Sequence, residues 1–176
     1  ALRAAAPARI VNLSSAGHRL GDVNFEDPHF ESRAYDKWEA YGQSKTANIL
    51  FTVELDRRLA ASGVRAVAVH PGMIMTELGR HLSPEDVQDL MSRGDPKSDR
   101  PAFKSVEQGA ATSTWAAVSS ELEGRGGFYC EDCNIAEEKT DGDSTTGISS
   151  HALNPESARR LWGLSEGWVG ESFLLT

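Results

Sequence analysis

Three short apolar runs along the chain have the pattern of buried strands. The first spans Arg9 to Leu13 and stops at the polar turn Ser14 to Gly17. The second spans Val64 to Val69, and the third spans Phe128 to Cys130. Short apolar runs bounded by turn residues are typical of strands that are covered on both faces. The pattern therefore predicts three strands of a parallel sheet.

A stripe of apolar residues spaced four apart predicts a long helix from about Asp36 to Ala61. The stripe consists of Ala47, Phe51, Leu55 and Leu59, and it is widened by Ile49 and Val53. Gly63 follows the helix and suits the left-handed position beyond its last turn.

Three further helices are predicted, over residues 84–91, 105–118 and 154–168. Ser105 and Gln108 have the spacing of a capping box, which marks a helix start. Asn154 is a good N-cap, and Pro155 occupies the first helical position, where proline is tolerated. These signals fix the start of the last two helices more firmly than their ends.

Strands and helices alternate along the chain, in the order strand, long helix, strand, loop, helix, strand, helix. Such alternation is typical of an α/β fold with parallel strands and right-handed crossovers. Residues 18–35 are predicted to form a loop, and residues 137–150, rich in Asp, Gly, Ser and Thr, a mobile loop.

Composition narrows the function classes. The chain has 176 residues, with Lys+Arg 18 against Asp+Glu 26, and a net charge of −8. An acidic chain without a basic block is a poor candidate for binding nucleic acid. No apolar run approaches the length of a transmembrane helix. Two cysteines are too few for a disulfide framework, which favours a reducing compartment such as the cytoplasm.

Candidate chemistry begins with Tyr41 and Lys45, which are four residues apart and therefore share one face of the long helix. A free phenol is a poor proton acceptor at neutral pH, but a neighbouring cation favours the phenolate. A Tyr/Lys pair can therefore act as a general acid/base couple. By spacing alone, an ordinary surface pair is the commoner explanation.

Neighbouring motifs strengthen the pair. Ser14 and Ser15 follow the first strand, and the segment from Pro71 to Thr76 follows the second. In open α/β sheets, ligands bind at the carboxyl ends of the strands. A serine hydroxyl, a Tyr/Lys pair and a Pro-Gly turn are thus expected to converge on one crevice.

The combination of Ser-Ser, Tyr-x-x-x-Lys and Pro-Gly-x-Ile-x-Thr resembles the short-chain dehydrogenase/reductase family. The segments YGQSKTANILFTVELDRRL and VHPGMIMTEL resemble its retinol dehydrogenase and WW-domain oxidoreductase branch. The resemblance implies the C-terminal half of a Rossmann-type, doubly wound parallel sheet, with the fifth to seventh family strands. It implies that residues 1–136 form the catalytic half, and that residues 137–176 form a loop and a helix packed on the same domain.

The resemblance also implies roles for individual residues. Ser15 would polarise the carbonyl of a small-molecule substrate, Tyr41 would exchange the proton of the carbonyl/alcohol pair, and Lys45 would favour the phenolate. Tyr41 and Lys45 would also contact the cofactor, NAD or NADP. The remaining cofactor contacts implied by the resemblance are Pro71, Gly72, Ile74 and Thr76. A lipophilic substrate and a homo-oligomer built through the long helix fit the same family.

One family motif does not occur in these residues. The dinucleotide-binding turn Thr-Gly-x-x-x-Gly-x-Gly is absent, so no helix N-terminus is available for the pyrophosphate. The first methionine is Met73. We therefore expect the chain to be an incomplete piece of an enzyme and to be inactive alone. The rival hypothesis is a non-catalytic homologue that serves as an interaction or oligomerisation module.

Other chemistry-bearing residues have plainer explanations. Cys130 and Cys133 have CxxC spacing, which a zinc or redox protein could use, but no second pair accompanies them and no metal is expected. His70 is interpreted as structural, and Trp162 and Trp168 as packing residues. By the resemblance, several residues would flank the substrate pocket or form a lid: His18, Trp38, His81, Leu82, Leu90 and Met91.

Overall fold

A small mixed sheet lies at the centre of the fold. The computed structural model describes residues 1–74, 76–92, 103–139 and 146–173. In spatial order the sheet contains β1 (Ala8–Leu13), β2 (Val64–His70), β3 (Phe128–Glu131) and β4 (Asn134–Ile135). The first three strands are parallel, as predicted, and β4 is antiparallel to β3. The α/β prediction with a parallel sheet is confirmed.

The long helix α1 (Lys37–Leu59) connects β1 to β2. Asp36 caps it by accepting hydrogen bonds from the backbone N–H groups of Trp38 and Glu39. After a short turn of 3-10 helix, Gly63 takes a φ of 74°, the left-handed conformation predicted for it. The crossover thus returns the chain to the sheet beside β1.

The three other predicted helices are present as α2 (Pro84–Ser92), α3 (Val106–Val118) and α4 (Pro155–Val169). Ser105 and Gln108 form the predicted capping box at the start of α3. Asn154 accepts hydrogen bonds from two backbone N–H groups of α4. Side chains that satisfy the free N–H groups of a first turn stabilise a helix by about 1 kcal/mol each.

Strand β2 is buried on both faces because helices cover each side of the sheet. On one side Ala68 packs with Ile49 of α1 and with Tyr129. On the other side Val67 and Val69 pack with residues of α3 and β3. Each large apolar side chain buried in this way contributes roughly 1.5–3 kcal/mol to the stability of the fold.

The predicted apolar stripe of α1 is partly wrong. Ile49 and Leu50 are fully buried and Leu55 and Leu59 nearly so, but Phe51 is 38% exposed. Phe51 instead stacks on Trp162 of α4. The helix is covered by β2, by α4 and by the segment after β1, so its buried surface is broader than a stripe of one spacing.

Residues 137–150 do not form a simple loop. Strand β5 (Glu138–Lys139) pairs in parallel with β6 (Ile148–Ser149), and Ile148 is 2% exposed in the core. Residues 140–145, which include part of the predicted acidic loop, lie outside the described residues. Burial of Ile148 ties this part of the chain to the sheet.

The segment predicted as a loop over residues 18–35 begins inside a turn of 3-10 helix, Ala16–Leu20, called here the serine turn because Ser15 caps it. Val23 is 7% exposed and packs against α1 and α4. The segment is therefore fastened to α1 at several points rather than free on the surface.

Candidate active site

The two serines after β1 lie at the carboxyl end of the sheet. Ser14 continues the strand pairing, since its N–H donates to the carbonyl of Val69 at 2.8 Å. Its hydroxyl donates to the backbone carbonyl of Lys45 at 2.8 Å. Ser14 is buried, whereas Ser15 is only half-buried, so Ser15 is the serine that remains accessible.

Two features of α1 allow the serine turn to pack closely on this helix. A Cβ atom at Gly42 would come within 2.9 Å of the Leu20 Cβ and 3.0 Å of the Gly21 nitrogen. The hydroxyl of Thr46, fully buried, lies 3.1 Å from the carbonyl oxygen of His18 and 2.7 Å from that of Gly21. The absence of a side chain at Gly42 therefore lets the turn approach the helix face.

This packing brings Ser15 and Tyr41 together. A Cβ atom at Gly17 would overlap the Tyr41 ring and would lie 3.4 Å from Ser15 Oγ. Lys45 Nζ lies 5.3 Å from the centroid of the same ring, within the range of a cation–π contact. Ser15, Tyr41 and Lys45 are all half-buried. The three predicted catalytic residues thus share one neighbourhood and are reachable from solvent.

Pro71 and Gly72 follow β2 directly and lie beside the serines, because β1 and β2 are paired up to Leu13 and Val69. Gly72 has a φ of 95°, which favours glycine. A Cβ atom there would lie 2.6 Å from Cδ of Lys104. The requirement for glycine is therefore explained locally by backbone conformation and by the Lys104 side chain.

The segment after Gly72 is held against α3. Ile74 forms a parallel bridge with Lys104, and its side chain occupies the space that a Cβ at Gly109 would need. Thr76 is exposed, and its carbonyl accepts a hydrogen bond from the Gly79 N–H at 3.1 Å. Pro71, Gly72, Ile74 and Thr76 thus lie on the stretch that follows β2, at the same edge of the sheet as Ser15.

Three titratable side chains lie beneath this edge, of which His18 and Tyr129 are buried and His70 is half-buried. Burial, reinforced by the positive charge of Arg19, lowers the pKa of both His18 and His70 to about 4. Both imidazoles are therefore neutral at neutral pH. Burial also raises the pKa of the Tyr129 phenol far above its usual range, and its hydroxyl has no hydrogen-bond partner among the described residues.

The prediction that His18 flanks the substrate pocket is wrong. His18 is fully buried, with its ring edge-on to Tyr129 at 4.9 Å between centroids. His81 and Leu82 are exposed and Trp38 is half-buried. The side chains of Leu90 and Met91 lie outside the described part of the structure. The pocket or lid role of the others stays a prediction.

The two cysteines lie in different environments. Cys130 is fully buried in β3, and burial raises the pKa of its thiol to about 12. Cys133 is exposed in the turn to β4, where both Asp132 and Cys133 have positive φ, as in a type I′ hairpin. Both thiols are free. Over the described ranges, no group of three His, Cys, Asp or Glu side chains could hold a metal ion.

A cavity of about 400 Å³ lies on another face of α1, between the segment after the serine turn and α4. Val23, Phe30, Ala47, Leu161 and Trp168 give it a mainly apolar lining. Tyr41, Lys45 and Ser15 do not line it, so it is separate from the candidate active site.

Trp162 is buried as expected, whereas Trp168 is 47% exposed and contacts His29.

Sequence reasoning missed Lys104. Its Nζ pairs with Asp132 at 2.5 Å, and its alkyl chain lies against Gly72. No local pattern marks this lysine, because the pairing of Ile74 with Lys104 joins residues 30 apart without forming a regular strand.

In the described part of the chain, no helix combines the length and the apolar character needed to cross a bilayer.

Comparison with known proteins points to one family. The family model "short chain dehydrogenase" matches residues 30–87, which include Tyr41 and Lys45. A probable oxidoreductase of Streptomyces lividans is 48% identical over 92% of this chain and 55% of its own length. Retinol dehydrogenase 12 of Mus musculus is 41% identical over 93% of this chain and 46% of its own.

A solved structure supports the same assignment. The crystal structure of an uncharacterized protein from Mycobacterium paratuberculosis superposes with a TM-score of 0.61 and 31% identity, over 94% of this chain and 51% of that one. The chain therefore spans about half the length of these relatives. From its motifs, its parallel sheet and these matches, the chain belongs to the short-chain dehydrogenase/reductase family.

Proposed function

We propose that the protein containing this chain is an NAD- or NADP-dependent oxidoreductase that interconverts a carbonyl compound and its alcohol. The observation that carries the proposal is the shared neighbourhood of Ser15 Oγ, the Tyr41 ring and Lys45 Nζ. A hydroxyl donor, a phenol and an ammonium are the groups needed to polarise a carbonyl and to move one proton. Membership of the family supports the same chemistry.

Each of the three residues has a distinct role in this proposal. The Ser15 hydroxyl donates a hydrogen bond to the substrate carbonyl oxygen. The Tyr41 hydroxyl gives its proton to that oxygen during reduction, or takes the proton from the alcohol during oxidation. The Lys45 ammonium beside the ring stabilises the phenolate that reduction leaves behind.

The residues at this edge of the sheet fit a nicotinamide nucleotide. The ammonium of Lys45 and the hydroxyl of Tyr41 are suitable partners for ribose hydroxyls. The backbone of Ile74 and the hydroxyl of Thr76 are suitable partners for a carboxamide, with Pro71 and Gly72 forming the adjacent wall. When bound, the nicotinamide supplies or accepts the hydride, and the protein positions the reactants.

A lipophilic substrate is the class we favour. The relative named retinol dehydrogenase 12 is 41% identical to this chain. Leu82 and Val87, on the segment after Thr76, are 40% and 38% exposed and provide apolar surface near the proposed site. Long-chain aldehydes and retinal are therefore the first compounds to assay.

The test uses the protein as its gene encodes it, with either reduced nicotinamide and a series of aldehydes of increasing chain length. The variant Tyr41→Phe removes the proton-carrying oxygen, so we expect kcat to fall by about 10²- to 10⁴-fold, with a much smaller rise in the KM for the nicotinamide from the lost ribose contact. Tyr35→Phe is the matched control. It removes the same hydroxyl from a tyrosine that is 71% exposed and lies outside the proposed site.

Two outcomes would count against the proposal. An unaltered protein that turns over none of the carbonyl compounds or alcohols with either nicotinamide would contradict the activity. Equal rates for Tyr41→Phe and Tyr35→Phe would contradict the role of Tyr41. Increasing kcat/KM with chain length, measured in the unaltered protein, supports the lipophilic substrate class, and the opposite trend contradicts it.

A further inference from the structure

The serine turn is fastened on its far side to residues 147–151. Arg19 donates to the Gly147 carbonyl at 2.8 Å, and the Ser149 N–H donates to His18 Nε2 at 3.2 Å. His151 Nε2 lies 3.2 Å from the His18 carbonyl oxygen. The turn that begins at Ser15 is therefore held between α1 and a segment more than 125 residues further along the chain.

The hydrogen bonds of His18 define one protonation state of its ring. Nε2 accepts from the Ser149 N–H, so Nε2 carries no proton. Nδ1 lies 2.8 Å from the Ser15 carbonyl oxygen, which can only accept, so Nδ1 carries the proton. A neutral imidazole with the proton on Nδ1 satisfies both bonds. An imidazolium would carry a second proton on Nε2, which would point at the Ser149 N–H, itself a donor.

We propose that His18 is a positioning residue that holds Ser15 in place for reaction. This inference rests on the proposed function, because it takes Ser15 to be the group that contacts the carbonyl oxygen. His18 is fully buried, so it acts through Ser15 rather than on the substrate. The Nδ1–H bond fixes the peptide that follows Ser15, and the Ser149 bond fixes the orientation of the ring.

The backbone at Ser15 shows why such a hold is needed. Ser15 is extended, with φ −161° and ψ 158°, and its Oγ accepts the Gly17 N–H at 3.0 Å. Rotation of the peptide between Ser15 and the turn would move Oγ away from Tyr41. The shorter bond to His18 Nδ1 adds to the bond from the His18 backbone N–H in restraining that rotation, and the Tyr129 ring packed against His18 restrains the imidazole.

Two conservative variants separate the two bonds of His18. The amide nitrogen of His18→Asn can occupy the position of Nδ1 and still donate to the Ser15 carbonyl. The longer side chain of His18→Gln reaches the position of Nε2 and can accept from Ser149, but it leaves the Ser15 carbonyl with only the backbone N–H of residue 18, at 3.1 Å, as donor. His29→Asn is the control, because His29 is exposed and outside the proposed site.

The measurement is steady-state kinetics of the protein as its gene encodes it, with the carbonyl compound that it reduces fastest. We expect His18→Asn to keep kcat within about threefold and His18→Gln to lower kcat by about tenfold or more, with an unchanged KM for the nicotinamide. His29→Asn keeps the unaltered kinetics. Equal kcat values for the Asn and Gln variants, high or low, would overturn the inference.

A spectroscopic measurement on the unaltered protein does not depend on whether the variants fold. Two-bond ¹H–¹⁵N NMR distinguishes a histidine protonated on Nδ1 from one protonated on Nε2. We expect His18 to be the Nδ1–H form at neutral pH, and an Nε2–H form would overturn the inference. If the unaltered protein has no nicotinamide-dependent activity, the proposed function fails first. An active protein with equal Asn and Gln variants refutes the His18 role alone.

Discussion

Tyr129 and Thr46 are two buried hydroxyl residues beside the candidate active site, and they differ in hydrogen bonding. The Tyr129 hydroxyl has no partner among the described residues. The Thr46 hydroxyl has two carbonyl oxygens within reach, at 3.1 and 2.7 Å. A buried polar group without a partner loses its hydration and gains nothing in return, whereas a bonded one contributes to stability.

Tyr129→Phe is therefore expected to leave the free energy of unfolding unchanged or to raise it by about 1 kcal/mol. Thr46→Val, which is similar in shape, is expected to lower it by about 1–3 kcal/mol, because the single O–H that these two carbonyl oxygens share is removed, and the nearer Gly21 carbonyl loses its bond at 2.7 Å. Urea unfolding of both variants measures the difference. A larger loss for Tyr129→Phe than for Thr46→Val would contradict this difference in hydrogen bonding.

His18 and His70 make stability depend on pH. The pKa of each is about 4 in the folded protein, against 6.5 for an ordinary histidine. Between these values the unfolded chain binds protons that the folded chain does not, so stability rises with pH from about 4 to 6.5 and falls on acidification. Each histidine contributes up to about 1.4 kcal/mol per pH unit in this window.

His70→Asn tests this dependence. His70 Nδ1 accepts from the Gly72 N–H at 3.3 Å, and the amide oxygen of asparagine can take over that bond without titrating. We expect the variant to lose about half of the stability change between pH 6.5 and 4.5, as measured by urea unfolding across pH. A wild-type stability that stays constant over this window would contradict the folded-state pKa of both histidines.

Close contact between the serine turn and α1 is what joins two elements into one site. Gly42→Ala would place a Cβ 3.0–3.1 Å from backbone atoms of Gly21 and Gly17, and backbone does not move aside as a flexible side chain does. We expect a loss of about 1–3 kcal/mol in stability despite the better helix propensity of alanine. Displacement of Ser15 should lower kcat as well.

Gly163→Ala is the matched control for Gly42→Ala. Gly163 lies in α4, is exposed, and has no atom within 4 Å of the position a Cβ would take. The same substitution should therefore raise stability by up to about 1 kcal/mol and leave kcat unchanged. Thermal unfolding and steady-state kinetics of the pair test the argument. It is wrong if both alanines change stability in the same direction.

At the scale of elements, local signals predicted starts and turns well. The capping box at Ser105, the Asn154 cap and the left-handed Gly63 all depend on neighbouring residues, and the structure confirms each. Two features were not predicted: the partial exposure of Phe51, and the pairing of β5 with β6. Both depend on contacts between residues that are far apart along the chain. A one-dimensional pattern carries no information on such partners.

The candidate site was predictable for a similar reason. Strand ends and helix spacing place Ser15 at the edge of the sheet and put Tyr41 and Lys45 on one helix face, whereas their catalytic roles come from the family resemblance and stay a prediction. The burial of His18 does not follow, because it depends on residues 147–151 and on Tyr129, which are remote along the chain. Polar residues near a motif look accessible in sequence even when a later segment covers them.

At the scale of the whole molecule, the sheet is open on one side. Within the described residues, β1 pairs with β2 only, and Leu13 at its end is 59% exposed. Residues 1–176 also contain no Thr-Gly-x-x-x-Gly-x-Gly turn. Ser15, Tyr41 and Lys45 are the groups that we propose for proton transfer, but the described residues offer no helix N-terminus after a glycine-rich turn to bind a pyrophosphate.

We therefore expect residues 1–176, expressed alone, to show no nicotinamide-dependent turnover, because the cofactor would lack its main phosphate contacts. The absorbance of the reduced nicotinamide, followed with the substrate preferred by the protein as its gene encodes it, measures this. Circular dichroism and urea unfolding establish whether the isolated polypeptide is folded. Turnover by residues 1–176 near a typical enzymatic rate of about 10 s⁻¹, abolished by Tyr41→Phe, would refute the expectation. It would mean that residues at the open edge of this sheet hold the dinucleotide without the glycine-rich turn.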